Sequence, residues 1–206
     1  MTATSFDTGN IIVLNAITGS QVATLSRHTN WVKSLAFSSD GMSLASGCDD
    51  ATVNLWDIQT GGVIKTFYGH GGYVHSISIS SDCTTIASGS HDKTIHLWNI
   101  QTGECQCIIQ PGGHVEYVNF SPSNPQHLIS MISKSTSGII QQWDINGNQI
   151  GPEYRGSHFS FSPDGTNFAL CEDQAATVQD CDSGAIMARF HKANTKFYCC
   201  FSWYHY

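Results

Sequence analysis

Two ten-residue stretches decide the fold of this chain: Thr52-Val-Asn-Leu-Trp-Asp-Ile-Gln-Thr-Gly61 and Thr94-Ile-His-Leu-Trp-Asn-Ile-Gln-Thr-Gly103. The second repeats the first 42 residues later, with three conservative changes, and Gln142-Trp143-Asp144 is a weaker third copy. A second marker, an apolar residue followed by serine and a turn, keeps the same phase. Its copies begin 42, 41, 41 and 40 residues apart, at Phe37, Ile79, Phe120, Phe161 and Phe201. A period of about 40 residues indicates a stacked repeat architecture.

Each repeat is predicted to contain four short strands separated by turns. In the first full repeat the strands are expected at 31–37, 43–46, 52–57 and 63–67, with turn residues such as Ser38-Ser-Asp-Gly41 between them. One such sheet cannot bury both of its faces alone, so neighbouring repeats must stack. The repeat therefore predicts an all-β protein.

The low content of charged residues and the negative net charge argue against two classes of partner. Only 12% of the 206 residues are charged, against about 25% in an average domain. The formal net charge of −7 repels phosphate backbones and anionic membrane surfaces, so we expect neither direct nucleic-acid nor membrane binding. We expect no cofactor and no metal site, because the sequence has no CxxC or HxxxH ligand pair and no glycine-rich phosphate loop.

The repeat resembles the WD-repeat family of β-propellers, over a stretch from about Asn10 to Tyr206. The resemblance implies four full four-stranded blades, at 27–67, 68–109, 110–154 and 155–190, which we call repeats 1 to 4. Partial blades are expected at 10–26 and 191–206 in one domain of residues 1–206. Either the chain is a piece of a longer propeller and forms an incomplete ring, which we favour, or it closes as a five-bladed ring.

Family members hold each blade with a buried network of histidine, serine, aspartate and tryptophan. The resemblance places two complete sets here: His28, Ser46, Asp50 and Trp56, and His70, Ser88, Asp92 and Trp98. Repeats 3 and 4 depart from the pattern, so we expect them to lose this network. Pro111 and Pro152 stand at the histidine position, Ser137 at an aspartate position and Gln179 at a tryptophan position, while Asp173 could still serve as the loop aspartate.

The same resemblance points to a partner-binding rim. Six residues before each leading apolar position, at the expected start of an inner strand, stand Trp31, Tyr73, His114 and Arg155. Asp49 and His91 occupy the adjacent turn, and Lys33 and His75 are candidates for the inner end of the channel. Aromatic and arginine side chains dominate interaction hot spots. The expected function is therefore a non-catalytic scaffold or sensor that binds a protein or peptide partner in the cytoplasm, with a nuclear location left open.

Two alternatives remain open at this stage. The His–Ser–Asp sets contain the residue types of a hydrolase, although two evenly spaced copies favour a structural role. A truncated gene fragment without independent function is the other alternative. Open blade edges would also favour self-association of the chain.

Overall fold

A computed structural model describes residues 1–5, 8–134, 137–171, 175–181 and 184–191 of the 206-residue chain. Throughout these ranges the regular secondary structure is β-strand, as expected, and no helix long and apolar enough to cross a membrane occurs in them. The second partial blade expected at 191–206 lies outside the described residues except for His191, and so does Asp173.

The strands form five antiparallel sheets in chain order. Each of the last four sheets has four strands paired in chain order. The first strands of repeats 1, 2 and 3 contact one another in turn, so we call the first strand of a repeat inner and the fourth outer. The N-terminal sheet consists of β1 (Thr2–Ser5), β2 (Asn10–Leu14) and β3 (Gln21–Ser26). Repeat 1 contains β4 (Val32–Phe37), β5 (Ser43–Cys48), β6 (Val53–Asp57) and β7 (Val63–Phe67). Repeat 2 contains β8 (Val74–Ile79), β9 (Thr85–Ser90), β10 (Ile95–Asn99) and β11 (Cys105–Ile109). Repeat 3 contains β12 (His114–Phe120), β13 (His127–Lys134), β14 (Ser137–Asp144) and β15 (Gln149–Gly156). Repeat 4 contains β16 (His158–Phe161), β17 (Asn167–Cys171), β18 (Ala175–Asp180) and β19 (Ile186–His191).

The N-terminal sheet contains a strand, β1, that lies outside the partial blade expected at 10–26. Strand β1 pairs with β2 from Thr2 opposite Leu14 to Ser5 opposite Ile11. The stretch Thr-Ala-Thr-Ser is short and contains no large apolar residue, so it gives no alternating signal from which a strand could be predicted.

Serine and aspartate shape the tight turns between the first and second strands of the repeats. In repeat 1 the Ser38 hydroxyl donates to Asp40 at 2.6 Å, and the backbone N–H groups of Met42 and Ser43 donate to Asp40 and Ser38. The residue at the fourth turn position has a positive φ, which is 70° at Gly41 and 57° at Cys83 in repeat 2. These turns lie at one end of the sheets, which we call the turn end.

The core lies between successive sheets. One buried cluster joins the N-terminal sheet to repeat 1, and three more join repeats 1 and 2, 2 and 3, and 3 and 4. Trp56, Trp98 and Trp143 each lie in one of these clusters. The tryptophan of repeats 1, 2 and 3 thus packs in the core shared with the preceding sheet. None of the four clusters joins repeat 4 to the N-terminal sheet, and the described part of the chain forms an open arc of blades.

Candidate functional site

Repeat 1 contains the predicted network of four buried or half-buried polar side chains. The Ser46 hydroxyl lies 2.7 Å from His28 Nε2 and accepts the indole N–H of Trp56 at 2.8 Å. His28 Nδ1 lies 2.9 Å from Asp50 Oδ2. Asp50 also accepts bonds from the backbone N–H of Thr29 and the hydroxyl of Thr52, so it ties the loop before β4 to the loop after β5.

Repeat 2 reproduces this geometry almost atom for atom. Ser88 lies 2.7 Å from His70 Nε2 and accepts the Trp98 indole N–H at 2.8 Å, and His70 Nδ1 lies 2.8 Å from Asp92. The same loops hold the same residue types because the two repeats share length and turn residues. The two sets assigned from the sequence are thus both assembled in space.

The electrostatics of the networks fix the histidines in their neutral form. Burial raises the pKa of Asp50, but hydrogen bonds from Thr52 and His28 outweigh it and bring that pKa to about 2; the pKa of Asp92 is also about 2, for the matching reasons. Burial lowers the pKa of both His28 and His70, against the opposing effect of the adjacent carboxylate. The histidine Nδ1–H therefore donates to aspartate, and the serine hydroxyl donates to Nε2.

This arrangement suits a structural clip better than a catalytic triad. Ser46 and Ser88 are 0% exposed, and each hydroxyl already bonds to both its histidine and its tryptophan. A nucleophilic serine needs access to substrate. Neither hydroxyl has it, because both serines are fully buried.

The position two residues before each tryptophan also belongs to the network, although it was not predicted from the sequence. In repeat 1 it is Asn54, whose amide lies 3.2 Å from His28 Nε2, and in repeat 2 it is His96, which stacks on His70 with ring centroids 4.0 Å apart. His96 is 4% exposed, its Nδ1 makes no hydrogen bond, and burial followed by the proximity of His70 lowers its pKa to about 4. The sequence offers one signal for this position: the two ten-residue stretches are nearly identical, yet asparagine in the first is histidine in the second.

Within the described part of the chain, two groups of side chains bring ligand-type atoms within 4.8 Å of one another: His28, Cys48 and Asp50, and His70, Asp92 and His96. Both ring nitrogens of His28 and His70 are already hydrogen-bonded to aspartate and serine. In each group one histidine therefore has no free ring nitrogen to offer an ion.

Exposed aromatic side chains lie at the end of the sheets opposite the turn end, where the loops before the first strands meet the loops between the second and third strands. We call this end the rim. Trp31 and Tyr73 are each 50% exposed and occupy the same position in repeats 1 and 2. In each repeat the backbone joins the two rim loops, because Asp49 N–H donates to Trp31 O and His91 N–H to Tyr73 O, both at 2.9 Å.

The rim side chains differ between the two repeats. In repeat 1, Lys33 Nζ lies 3.3 Å from Asp49 Oδ2 and 4.5 Å from the ring centroid of Trp31. In repeat 2, the His91 ring lies 6.0 Å from Tyr73 and 6.1 Å from His75. His91 also stacks on His114 of repeat 3 at 3.7 Å, so the rim continues across the boundary between these repeats.

A cavity of about 490 Å³ lies along the inner strands of repeats 1 to 4. Its lining includes Phe37, Ile77, Tyr117 and Phe159. Lys33 and His75, which we considered for the channel, are not among its lining residues; their side chains meet the rim residues instead.

Arg155 is displaced from its expected place. It lies on β15, the outer strand of repeat 3, opposite Ile139, and not at the start of the inner strand of repeat 4. Strand β15 extends to Gly156, and Ser157 alone separates it from β16. The loop that positions Trp31 and Tyr73 is thus reduced to one residue, and a fixed count back from Phe161 reaches the wrong strand.

Repeat 3 keeps more of the network than expected. Trp143 donates its indole N–H to Ser130 at 2.8 Å, although Pro111 stands at the histidine position. The expectation of a lost network is wrong for this pair. In repeat 4 the buried Gln179 replaces tryptophan, and its amide donates to Thr177 on the same strand.

Comparison with known proteins agrees with this geometry. Residues 19–57 and 61–99 match the WD40 family (WD domain, G-beta repeat). Lissencephaly-1 homolog 1 of Paramecium tetraurelia is 39% identical over 49 residues, which are 24% of this chain and 12% of that protein. Nuclear distribution protein nudF 2 of Penicillium rubens is 48% identical over 44 residues, 21% of this chain and 10% of that protein. The chain thus matches only about a tenth of the length of these relatives.

The two matched segments contain the serine, aspartate and tryptophan of both complete networks, and the sheets around them stack as successive blades. On this evidence residues 19–57 and 61–99 are two WD40 repeats, and the described residues have an all-β fold of four-stranded sheets like propeller blades.

Proposed function

We propose that this chain is a non-catalytic scaffold or sensor that binds a protein or peptide partner through the rim of repeats 1 and 2. The observation that carries the proposal is the half-exposure of Trp31 and Tyr73 at equivalent positions of adjacent repeats. Large aromatic side chains held by a rigid framework supply contact area at a low cost in conformational entropy, and they are enriched in interaction hot spots.

The rim has the support that such a surface requires. The backbone bonds from Asp49 to Trp31 and from His91 to Tyr73 hold the two loops of each repeat together. Beneath them, the carboxylates of Asp50 and Asp92 connect the same loops to buried histidines. The proposed role of the networks is therefore to keep the rim in one conformation before a partner arrives.

The hydrolase alternative is disfavoured by the full burial of Ser46 and Ser88. The net charge of −7 disfavours direct binding to nucleic acid or anionic membrane. The fragment alternative and the cytoplasmic location stay predictions. The names of the relatives, a Lissencephaly-1 homolog and a nuclear distribution protein, describe those proteins and suggest no specific partner here.

Site-specific photo-crosslinking in cells tests the proposal. A benzophenone amino acid in place of Tyr73 should give discrete crosslinked products with another protein, while the same residue in place of Met42 serves as the matched control. Met42 is 72% exposed at the turn end. Addition of Trp31→Ala should remove the products from position 73. Equal crosslinking from both positions, or products that survive Trp31→Ala, would contradict the proposal.

A further inference from the structure

The rim of repeat 1 contains a cation site that is filled by the chain itself. The ammonium group of Lys33 lies 4.5 Å from the ring centroid of Trp31 and 3.3 Å from Asp49 Oδ2. An aromatic face together with a carboxylate is a recurring way to bind a cationic side chain. Trp31 presents half of its surface to solvent, so the site lies where a partner could reach it.

Lys33 satisfies this site incompletely. Its 3.3 Å distance to Asp49 exceeds the range of about 2.7–2.9 Å that is typical of strong charge-assisted hydrogen bonds. The other carboxylate oxygen, Asp49 Oδ1, is buried and has no hydrogen-bond partner, and the Asp49 side chain as a whole is 13% exposed. A carboxylate with one long contact and one unpaired oxygen lacks donors.

A guanidinium group matches the two carboxylate oxygens of Asp49 better than an ammonium group does. Its planar fork can donate to both oxygens of one carboxylate and can also stack on an indole ring. Lys33 reaches the site from the strand next to Trp31 and offers a single point charge. An arginine from another protein would therefore gain both the second hydrogen bond and the stacking contact once Lys33 gives way.

Repeat 2 shows that this arrangement is specific to repeat 1. The three equivalent positions hold Tyr73, His75 and His91, with no carboxylate among them. The His–Ser–Asp–Trp network below is the same in both repeats, although Asn54 beside it in repeat 1 is replaced by His96 in repeat 2. Repeat 2 is thus an internal control.

We propose that Trp31 and Asp49 form a binding site for an arginine side chain of a protein partner, and that Lys33 occupies this site when no partner is present. The inference rests on the proposed function, since it names the side chain that the rim recognises. Lys33 acts as an internal competitor, so partner binding must displace its ammonium group from Asp49.

Titration with the peptide acetyl-Gly-Arg-Gly-amide tests the site. The readout is the indole N–H resonance of Trp31 in ¹H–¹⁵N spectra, while the resonances of Trp56 and Trp98 report that the networks remain folded. We expect the Lys33→Met variant to bind the peptide at least about tenfold more tightly than the unchanged chain, because the competitor is gone. The Lys33→Gln variant also lacks the ammonium group and should show the same gain in affinity.

Three controls define the chemistry. Asp49→Asn in the Lys33→Met background should abolish the response, and His91→Asn, at the equivalent position of repeat 2, should leave it unchanged. A peptide with citrulline in place of arginine should not bind. Equal affinity of the Lys33→Met variant and the unchanged chain, or of arginine and lysine peptides, would overturn the assignment. If peptide binding fails while crosslinks from position 73 persist, the scaffold proposal stands and the arginine site does not.

Discussion

The indole N–H of Trp143 donates to the hydroxyl of Ser130 at 2.8 Å, the same distance that separates Trp98 from Ser88. Repeat 3 therefore retains half of the network whose histidine it lacks. Ser130 and Ser88 are both 0% exposed, so the two repeats allow the contribution of the histidine to be measured by substitutions at matched serines.

We predict that Ser88→Ala destabilises the protein more than Ser130→Ala. Loss of the Ser88 hydroxyl leaves two buried groups unpaired, the Trp98 indole N–H and His70 Nε2, whereas loss of Ser130 leaves the Trp143 indole N–H. Each unpaired buried group costs about 1–3 kcal/mol. Chemical denaturation of both variants measures the difference. Equal losses would show that His70 contributes nothing through Ser88.

A second prediction concerns the pH dependence contributed by His96. Burial, and then the nearby His70, lower its folded pKa to about 4 from an unfolded value of 6.5. The unfolded chain therefore binds a proton more readily between these values, and the contribution of His96 to stability is complete above pH 6.5 and is lost progressively as the pH falls toward 4. Replacement by asparagine, the residue of repeat 1, should flatten this dependence.

The comparison is made by denaturation of the unchanged chain and of His96→Asn at several pH values between 4 and 8. The stability of the variant relative to the unchanged chain should rise as the pH falls. Because His28 and His70 remain in the variant, some acid sensitivity persists. Parallel stability curves for the two proteins would contradict the assignment of a buried, neutral His96.

The turn at Cys83 gives a third prediction. Cys83 has a φ of 57° at a position where repeat 1 has Gly41, with a φ of 70°. A residue with a side chain pays about 1–2 kcal/mol in this left-handed region, which glycine enters freely. Cys83→Gly should therefore stabilise the protein by about 1 kcal/mol, and Gly41→Ala should destabilise it similarly.

Gly41→Ala is a suitable control, because a Cβ at Gly41 would meet no atom within 4 Å. Its effect would thus come from the backbone alone. Thermal unfolding of the two variants measures both changes. A destabilised Cys83→Gly variant would instead show that the contact of 3.2 Å between Cys83 and the Ser39 hydroxyl outweighs the backbone strain.

The fourth prediction concerns assembly. The outer strand of repeat 4 exposes more than half of Ile186, Met187 and Phe190, and β1 lies at the edge of the N-terminal sheet. Exposed apolar side chains and open strand edges both favour association. We expect the sedimentation coefficient to rise with protein concentration, and Met187→Lys to reduce this rise.

Sedimentation velocity at several concentrations provides the measurement, with Ile17→Lys as the control, since Ile17 is 96% exposed in a turn of the N-terminal sheet. A compact monomer at every concentration would contradict the open-arc interpretation and favour the five-bladed ring. Equal effects of the two lysine substitutions would point to a general effect of charge.

The strands could be predicted from the sequence because the repeats are regular. In repeat 1 the four strands match the expected ranges to within two residues, because turn residues at fixed offsets limit where each strand can end. Arg155 was misplaced because the loop before repeat 4 is shorter than its counterparts, and loop length cannot be read from a period. The pairing of Lys33 with Trp31 and Asp49 depends on side-chain directions at the rim, which the repeat pattern does not specify.

The inner strands of repeats 2 and 3 are joined by serine side chains along the cavity wall. Four hydrogen bonds connect Ser76 and Ser78 of β8 with Val118, Asn119 and Phe120 of β12. A force that separated these two strands would be shared among bonds that act in parallel. We therefore expect this junction to behave as a mechanical clamp, so that under tension repeats 2 and 3 stay together as one load-bearing unit.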